Sequence, residues 1–589
     1  MDIPLNLVLF LDSVIQKVAA SLEGFDESFH PEVRLADPRF GDYQANGVLA
    51  FAKKQKQNPR ELAQTLIDAL QASGELPEEY FSMSIAGPGF INFKLSNRFL
   101  MEWLACYSSE SSFKPQEHPY QGKVIPIDYS SPNTAKQMHV GHLRSMVIGE
   151  AIQRILRFHG AKMIRDNHIG DWGTQFGILL MEIKETGYDL DAEHEDAIED
   201  LEKLYKQGSA KFKEDPAAQE RARQELVKLQ QGDPECVAIW KKISQVSWRA
   251  FDEIYKLFGV EFDETRGESY YKDKVDRVCR ELEEDGIAEV SQGALVVFHP
   301  EHPRFKETPF LMRKADGASN YATTDLATAL THIEDFNADE ILYVTDGRQQ
   351  DHFAQLFLTV EKWFKKRGYK LPIMRHIWFG TILGEDGKAI KTRSGEPIKL
   401  KALVQEAIDR AYTLVSEKNP NLSEEEKQKI ARVVGIGALR YADLAQNRTS
   451  DYVFSWDKML AFDGNTAPYL LYAVARIYSI FRKIGESPRD YTNVDPETMG
   501  SLGEAGASLT RKLIAFPVAL EQALGELRPH YLCTYLFELA GAFSTFYNAD
   551  KVIVEAMETR KRRLTLCART LCILEVGLHL LGIETLESM

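Results

Sequence analysis

Apolar positions along the chain change their period several times, and each change predicts a different kind of layer. Over residues 1–115, helical patterns such as NPRELAQTLIDALQASGEL alternate with short strand-like runs such as FSMSIAGPGFINFKL. Apolar residues three and four apart in the first, and two apart in parts of the second, predict a small α+β domain. The opening stretch MDIPLNLVLFLDSVIQKVAA starts acidic, lacks a basic leader and keeps a helical period, so it reads as part of the fold. The polar segment SSFKPQEHPYQGK, which contains two prolines, predicts a linker.

The pattern then changes to that of a layered α/β domain, expected over residues 120–400. VIPIDYS reads as a buried strand, SPN as a turn, the next stretch as a helix through Arg157, and AKMIRDNHIGDWG as a second strand and its loop. Strand, loop, helix and strand in this order predict a doubly wound parallel sheet, whose ligands bind at the carboxyl ends of the strands. Charged helical patterns, EDAIEDLEKLYKQ and QERARQELVKLQ among them, interrupt it as an insertion placed at about 185–310. Strand patterns recur in GALVVF, YVTDG and HIWFGTIL. From 401 to 589 nearly every segment has a helical stripe, as in APYLLYAVARIYSIFRKI, which predicts an all-α bundle.

Composition narrows the class. A chain of 589 residues is too long for one core, and 44% hydrophobic with 27% charged residues is a globular balance. Without a run of about 18 apolar residues, no membrane span is expected. Six cysteines without a CxxC pair argue against a disulfide framework or a zinc ribbon, and place the chain in a reducing cytoplasm. A net charge of -16 opposes a nucleic-acid partner on average, although a local basic surface can sit on an acidic protein.

The candidate chemistry lies in SPNTAKQMHVGH, at the predicted end of the first strand of the sheet. His139 and His142 are three apart and face one side of a helix. With Gly141, Lys136 and the exposed N–H groups of a helix start, they suit a triphosphate and a displacement at its α-phosphoryl group. A metal pair is the poorer reading, because no supporting HExxH-type spacing is present.

The longer string SSPNTAKQMHVGHLRS, followed by NHIGDWGTQFG, resembles the HIGH region of class I aminoacyl-tRNA synthetases and in particular of the arginyl-tRNA synthetase family. GPGFINF, YATTDLA, DGRQQDHF, KTRSG, DGNTAPYLLYAVARI and LLGIETLESM extend the resemblance over nearly the whole chain. It implies an N-terminal tRNA-contacting domain, a Rossmann-like catalytic domain with a connective insertion, and a helical-bundle anticodon-binding domain. It implies an enzyme that joins L-arginine to the 3′ end of tRNA-Arg through an arginyl-adenylate, with ATP and Mg²⁺, no zinc, and the tRNA needed even for the first step. A cytoplasmic monomer is expected.

By the same resemblance Lys136, His139, Gly141, His142 and Lys391 serve catalysis, and Asp128, Asn133, Tyr321, Asp325 and Gln349 hold arginine. A guanidinium offers fixed donors suited to carboxylates. The family commonly has glutamate where this chain has Asp128. His168 and Asp171 fall in a stretch that resembles part of the family's active-site wall. KTRSG departs from the KMSKS loop of the class: one register puts Thr392 at the lysine that steadies pyrophosphate, another puts Lys391 there. The resemblance assigns Lys136 the compensating charge. For the tRNA it points to Phe90, Asn92, Tyr469, Tyr472, Arg476, Tyr547 and Met589, a set in which aromatic faces and an arginine plane could stack unpaired bases.

Overall fold

The computed structural model describes residues 2–190, 197–315, 321–391 and 396–589. The chain forms two compact units, one of Met1–Glu117, Ala461–His579 and Glu584–Met589, the other of His118–Leu460 and Leu580–Ile583. The first unit begins with α1 (Leu7–Ala19), capped by the Asn6 side chain, which accepts from the N–H groups of Val8 and Leu9. It continues through β1 (Val33–Leu35), β2 (Tyr43–Ala45), α2 (Gly47–Gln55), α3 (Pro59–Ser73), β3 (Phe81–Ala86), β4 (Phe90–Leu95) and α4 (Asn97–Cys106). The strands make an antiparallel sheet of order β1-β2-β4-β3, and the strand pattern of FSMSIAGPGFINFKL is its β3–β4 hairpin.

The second unit runs β5 (Val124–Asp128), α5 (Val140–Phe158), β6 (Lys162–Asn167), α6 (Thr174–Thr186), α7 (Ala197–Glu214), α8 (Pro216–Gln230), α9 (Pro234–Phe258), β7 (Glu264–Thr265) and α10 (Lys272–Glu284). It goes on with β8 (Ala288–Ser291), β9 (Ala294–Val297), β10 (Phe310–Arg313), α11 (Tyr321–Phe336), β11 (Glu340–Tyr343), α12 (Gln350–Arg367), β12 (Ile373–His376) and β13 (Ile382–Leu383). Then come α13 (Leu400–Lys418), α14 (Glu424–Leu444), β14 (Tyr452–Val453) and α15 (Trp456–Met459).

Five of these strands form the expected parallel sheet, in the order β12-β11-β5-β6-β7. The chain leaves β5 in one direction and returns to its other side at β11, so the switch point lies between them, where a crevice opens at the strand ends. Gly149 lets α5 close on that sheet, since a Cβ there would stand 2.5 Å from the Tyr129 ring. The insertion is built from α7, α8 and α9, whose apolar stripes pack on α6, while β8, β9 and β10 make a separate antiparallel sheet. Helices α13 and α14 belong to this unit and pack on α5.

The remaining helices, α16 (Ala467–Ile484), α17 (Glu504–Ile514), α18 (Phe516–Gly525), α19 (His530–Ala549) and α20 (Met557–Leu580), form the helical part of the first unit, which α20 leaves at its last residue. Buried Arg569 of α20 donates from Nε to the Leu104 carbonyl at 2.7 Å and from its terminal nitrogens to the carbonyls of Tyr491 and Thr492. With Arg511 on Asp42 at 2.6 Å, it binds the N-terminal layers and the bundle into one body.

Candidate active site

The loop from β5 to α5 carries three left-handed residues that are not glycine, Ser130 (φ 74), Ser131 (φ 45) and Ala135 (φ 59). Such a conformation persists where neighbours over-determine it. Ser130 N–H donates to Ser145 Oγ at 2.9 Å, Ser131 N–H to Asn167 Oδ1 at 3.2 Å, and Ala135 N–H to Ser247 Oγ at 2.9 Å. The loop is therefore held in place before any ligand arrives.

His139 caps α5. Its Nδ1 accepts the Gly141 N–H at 3.0 Å, and His142 Nδ1 accepts the His139 N–H at 3.0 Å. An Nδ1 that accepts carries no proton, so each neutral ring keeps its proton on Nε2 as a donor. Burial, then the charge of Lys399, lowers the His139 pKa, and burial holds His142 at about 3. Both rings are N–H donors and not cations at neutral pH. The glycine between them serves the rings themselves, because a Cβ on Gly141 would lie 2.8 Å from His139 Cε1. Cationic charge comes from neighbours. Lys136 Nζ stands 4.8 Å from the centre of the Tyr205 ring, and Lys399, Arg348 and Lys136 all act on His139.

The second half of the crevice meets the first through the backbone. Val140 N–H donates to the Ile398 carbonyl at 3.0 Å, and Leu400 N–H to the Met138 carbonyl at 2.9 Å. Lys391 is exposed and bridges Pro397, whereas Thr392 lies outside the described residues.

At the ends of β5 and β6 the charges are acidic. Asp128 is buried and accepts from Ser131 Oγ at 2.6 Å; burial raises its pKa to about 6, helped by Asp166 and Asp325. Asp166 lies opposite Asp128 in the sheet and is bonded to buried His332 at 3.0 Å. Asp325 accepts from His352 Nε2 at 2.6 Å, and the His352 ring lies 4.8 Å from that of Tyr321. Glu268, in the turn before α10, is raised to about 7 by burial, with Asp171 and Asp325 adding to the shift against the pull of His168. Burial opposes a charge on His168, yet Asp128, Asp325 and Asp166 outweigh it and raise its pKa. Buried carboxyls with pKa values raised by burial and by one another form a site whose charge a bound cation would favour. Asn133 and Gln349 are exposed, Asn133 bridging Gly170 in the loop after β5 and Gln349 following β11.

The sequence model of the class I tRNA synthetase (R) catalytic domain matches residues 108–456, that of the DALR anticodon binding domain 470–589, and that of the arginyl tRNA synthetase N terminal domain 11–95. An arginine–tRNA ligase of Marinomonas sp. (strain MWYL1) is 43% identical over 99% of this chain and 100% of its own length. The chain belongs to the arginyl-tRNA synthetase family. A second relative, an arginine–tRNA ligase of Cellvibrio japonicus (strain Ueda107), is 43% identical over 93% of this chain and 94% of its own. The crystal structure of arginyl-tRNA synthetase from Plasmodium falciparum superposes with a TM-score of 0.81 at 28% identity, covering 99% of this chain and 98% of that one. The Thermus thermophilus arginyl-tRNA synthetase has the same fold, with a TM-score of 0.82 at 24% identity over 99% and 100% of the two chains.

In the family's anticodon-binding region the structure brings together residues that the sequence offers 71 positions apart. Arg476 of α16 lies 4.3 Å over the ring of Tyr547 of α19. Tyr472, one helical turn before Arg476, is 49% exposed, and Tyr469 packs edge-on against Phe537 at 5.7 Å. Met589 is half-buried, and nearby the Glu587 carbonyl accepts from Arg482 at 2.6 Å. In the N-terminal sheet, Phe90 and Asn92 are two apart on β4 and share a face. Asn92 is buried, with its carbonyl accepting from Gln44 at 2.7 Å. Asp171 serves the fold by accepting both the N–H and the hydroxyl of Ser269.

Sequence reasoning missed Asp166, Glu268, His332, His352, Arg348 and Lys399. None stands in a spacing that signals chemistry; DGRQQDHF, which holds Arg348 and His352, is the one string that could have pointed to two of them.

Proposed function

We propose that the crevice at the switch point activates L-arginine with ATP and then transfers it to tRNA-Arg. The family carries out this charging for protein synthesis, and the observation that carries the reading for these residues is the meeting of two oppositely charged half-sites. On one side Asp325 adds to the raised pKa of both Asp128 and Glu268, and a guanidinium with its fixed donors fits such a cluster of carboxylates. On the other, two imidazole N–H groups, a helix start and a cluster of lysines suit a triphosphate.

In this reading an arginine carboxylate oxygen attacks the α-phosphorus, and the bond to the bridging oxygen breaks as pyrophosphate leaves. His139 and His142 donate from Nε2 to the five-coordinate centre and the departing oxygens, and Lys136 supplies point charge. Neutral donors suit this task, since they need no proton change during the step. In the second step a hydroxyl of the terminal ribose attacks the acyl carbon, the bond to the AMP oxygen breaks, and the hydroxyl proton passes to the departing phosphate. ATP enters as its magnesium complex, so that ion belongs to the substrate. Arg476, Tyr547 and Tyr472 present a stacking platform to unpaired bases. Among the described residues no helix is long and apolar enough to cross a membrane. Six free thiols support a reducing cytoplasm.

The test is exchange of labelled pyrophosphate into ATP. It should depend on arginine and on cognate tRNA. Tight tRNA binding without any exchange would instead describe a non-catalytic tRNA-binding paralogue.

A further inference from the structure

Helix α7 of the insertion presents Glu202, Tyr205 and Lys206 on one face, at spacings of three and four. All three reach the two segments that border the triphosphate half-site. Both carboxylate oxygens of Glu202 lie 2.6 Å from Lys399 Nζ, and Lys206 stands 3.3 Å from Glu396. Tyr205 lies beneath Lys136. The adjoining face of the helix is fixed, for Leu201 and Leu204 are buried in a cluster with Phe176, Leu179 and Leu180 of α6, and Tyr205 packs against the same cluster. At Gly208 a Cβ would stand 2.8 Å from Ile178 Cγ2.

We propose that α7 is a positioning element for adenylate formation: Glu202 clamps the arm that returns from the KTRSG loop against the start of α5, and Tyr205 holds Lys136 until phosphate draws it away. The inference rests on the reading of the crevice as the ATP site. Residues 398–400 already run along Met138–Val140 by two backbone hydrogen bonds, so the orientation of Lys399 fixes how closely the loop's arm lies beside His139. Three cations lower the pKa of that imidazole, and Glu202 is the carboxylate that opposes them. With Glu202 neutral, Lys399 would lose its counter-charge, and the arm would lose its lateral anchor. The two contacts differ in kind. A two-oxygen ion pair, partly shielded from water, resists displacement by substrate, whereas an ammonium over a ring is exchanged for a phosphate oxygen without leaving a buried charge behind.

The full-length protein is assayed by pyrophosphate exchange with tRNA present, first unmodified. Absence of exchange there would remove the ATP-site reading itself. Given exchange, Glu202→Gln should lower kcat by about tenfold or more while the KM for arginine and the thermal midpoint stay near those of the parent. Glu202→Asp, which keeps the carboxylate, should recover much of that loss. Tyr205→Leu should change the KM for ATP while Tyr205→Phe, which keeps the ring, leaves it unchanged. The proposal is overturned if Glu202→Gln exchanges like the parent, if its loss is matched by a fall in thermal midpoint, or if Glu202→Asp loses as much as Glu202→Gln. It is also overturned for Tyr205 if the leucine and phenylalanine variants behave alike.

Discussion

Arg144, two residues beyond His142, is buried to 1% exposure and paired at 3.0 Å with Asp443 of α14, which is wholly buried. Its remaining donors reach the carbonyls of Gly380 at 2.7 Å and Ser450 at 3.3 Å, and Tyr452 donates to the same aspartate at 3.2 Å. One guanidinium thus ties the start of α5 to the segment leading into the KTRSG loop and to α14. Replacing Arg144 by methionine would leave Asp443 charged and unpaired, at a cost of about 3–5 kcal/mol. Urea unfolding should show this loss, and adding Asp443→Leu should restore a large part of it.

The acidic pocket makes arginine binding sensitive to pH. Asp128 and Glu268 have pKa values raised to about 6 and about 7, and an incoming guanidinium favours their ionised forms. Binding therefore releases protons when pH is near or below these values, and the KM for arginine should rise as pH falls from 7 to 5. Asp128→Asn should flatten the lower part of that profile. A KM that does not vary over this range would remove these carboxylates from the arginine site.

Asp325 differs, because His352 already orients it at 2.6 Å. Asp325→Asn should reduce kcat/KM for arginine by about 100-fold, the order expected when a charge-assisted pair is lost, with little change in the KM for ATP. Steady-state kinetics with each substrate varied in turn would separate the two.

His142 links the site to acid stability. Its pKa falls from 6.5 to about 3 on folding, so the unfolded chain binds the extra proton between those values. The stability that comes from keeping it neutral is whole above about pH 6.5 and is lost as pH falls, by about 1.4 kcal/mol for each unit. His142→Asn should reduce the slope of unfolding free energy against pH by close to one proton between pH 6 and 4.

For the tRNA, Arg476→Ala removes both the cation and the plane that covers Tyr547 at 4.3 Å. The KM for tRNA in aminoacylation should rise by about tenfold or more, in line with about 1–3 kcal/mol for a stacked base, while the KM for ATP is unaffected. Arg476→Lys should recover less than half of the effect, because an ammonium cannot stack as a guanidinium does.

Local signals were readable in proportion to how local their causes are. The period of apolar residues predicts the β5–α5–β6 unit and the helical character from residue 401 onward. The spacing of His139, Gly141 and His142 marks a helix start, and the structure makes it a cap in which both rings accept backbone N–H groups. The same pattern is silent on membership. Helices α13 and α14 have the stripes of bundle helices, yet they lie with the parallel sheet, because an apolar stripe specifies that a face is buried and not which element buries it.

The elements, their order and the chemistry stored within single turns and loops were thus legible in the chain, because backbone geometry over a few residues governs them all. Which distant groups share a field was set by the packing of the whole fold. Arg144 meets Asp443 across 299 positions, Asp166 meets His332 across 166, and Lys399 meets Glu202 across 197. Such pairings follow from how strands register and helices pack, and burial then sets their charge, so the acidic and cationic halves of the crevice exist only once the chain has closed around them.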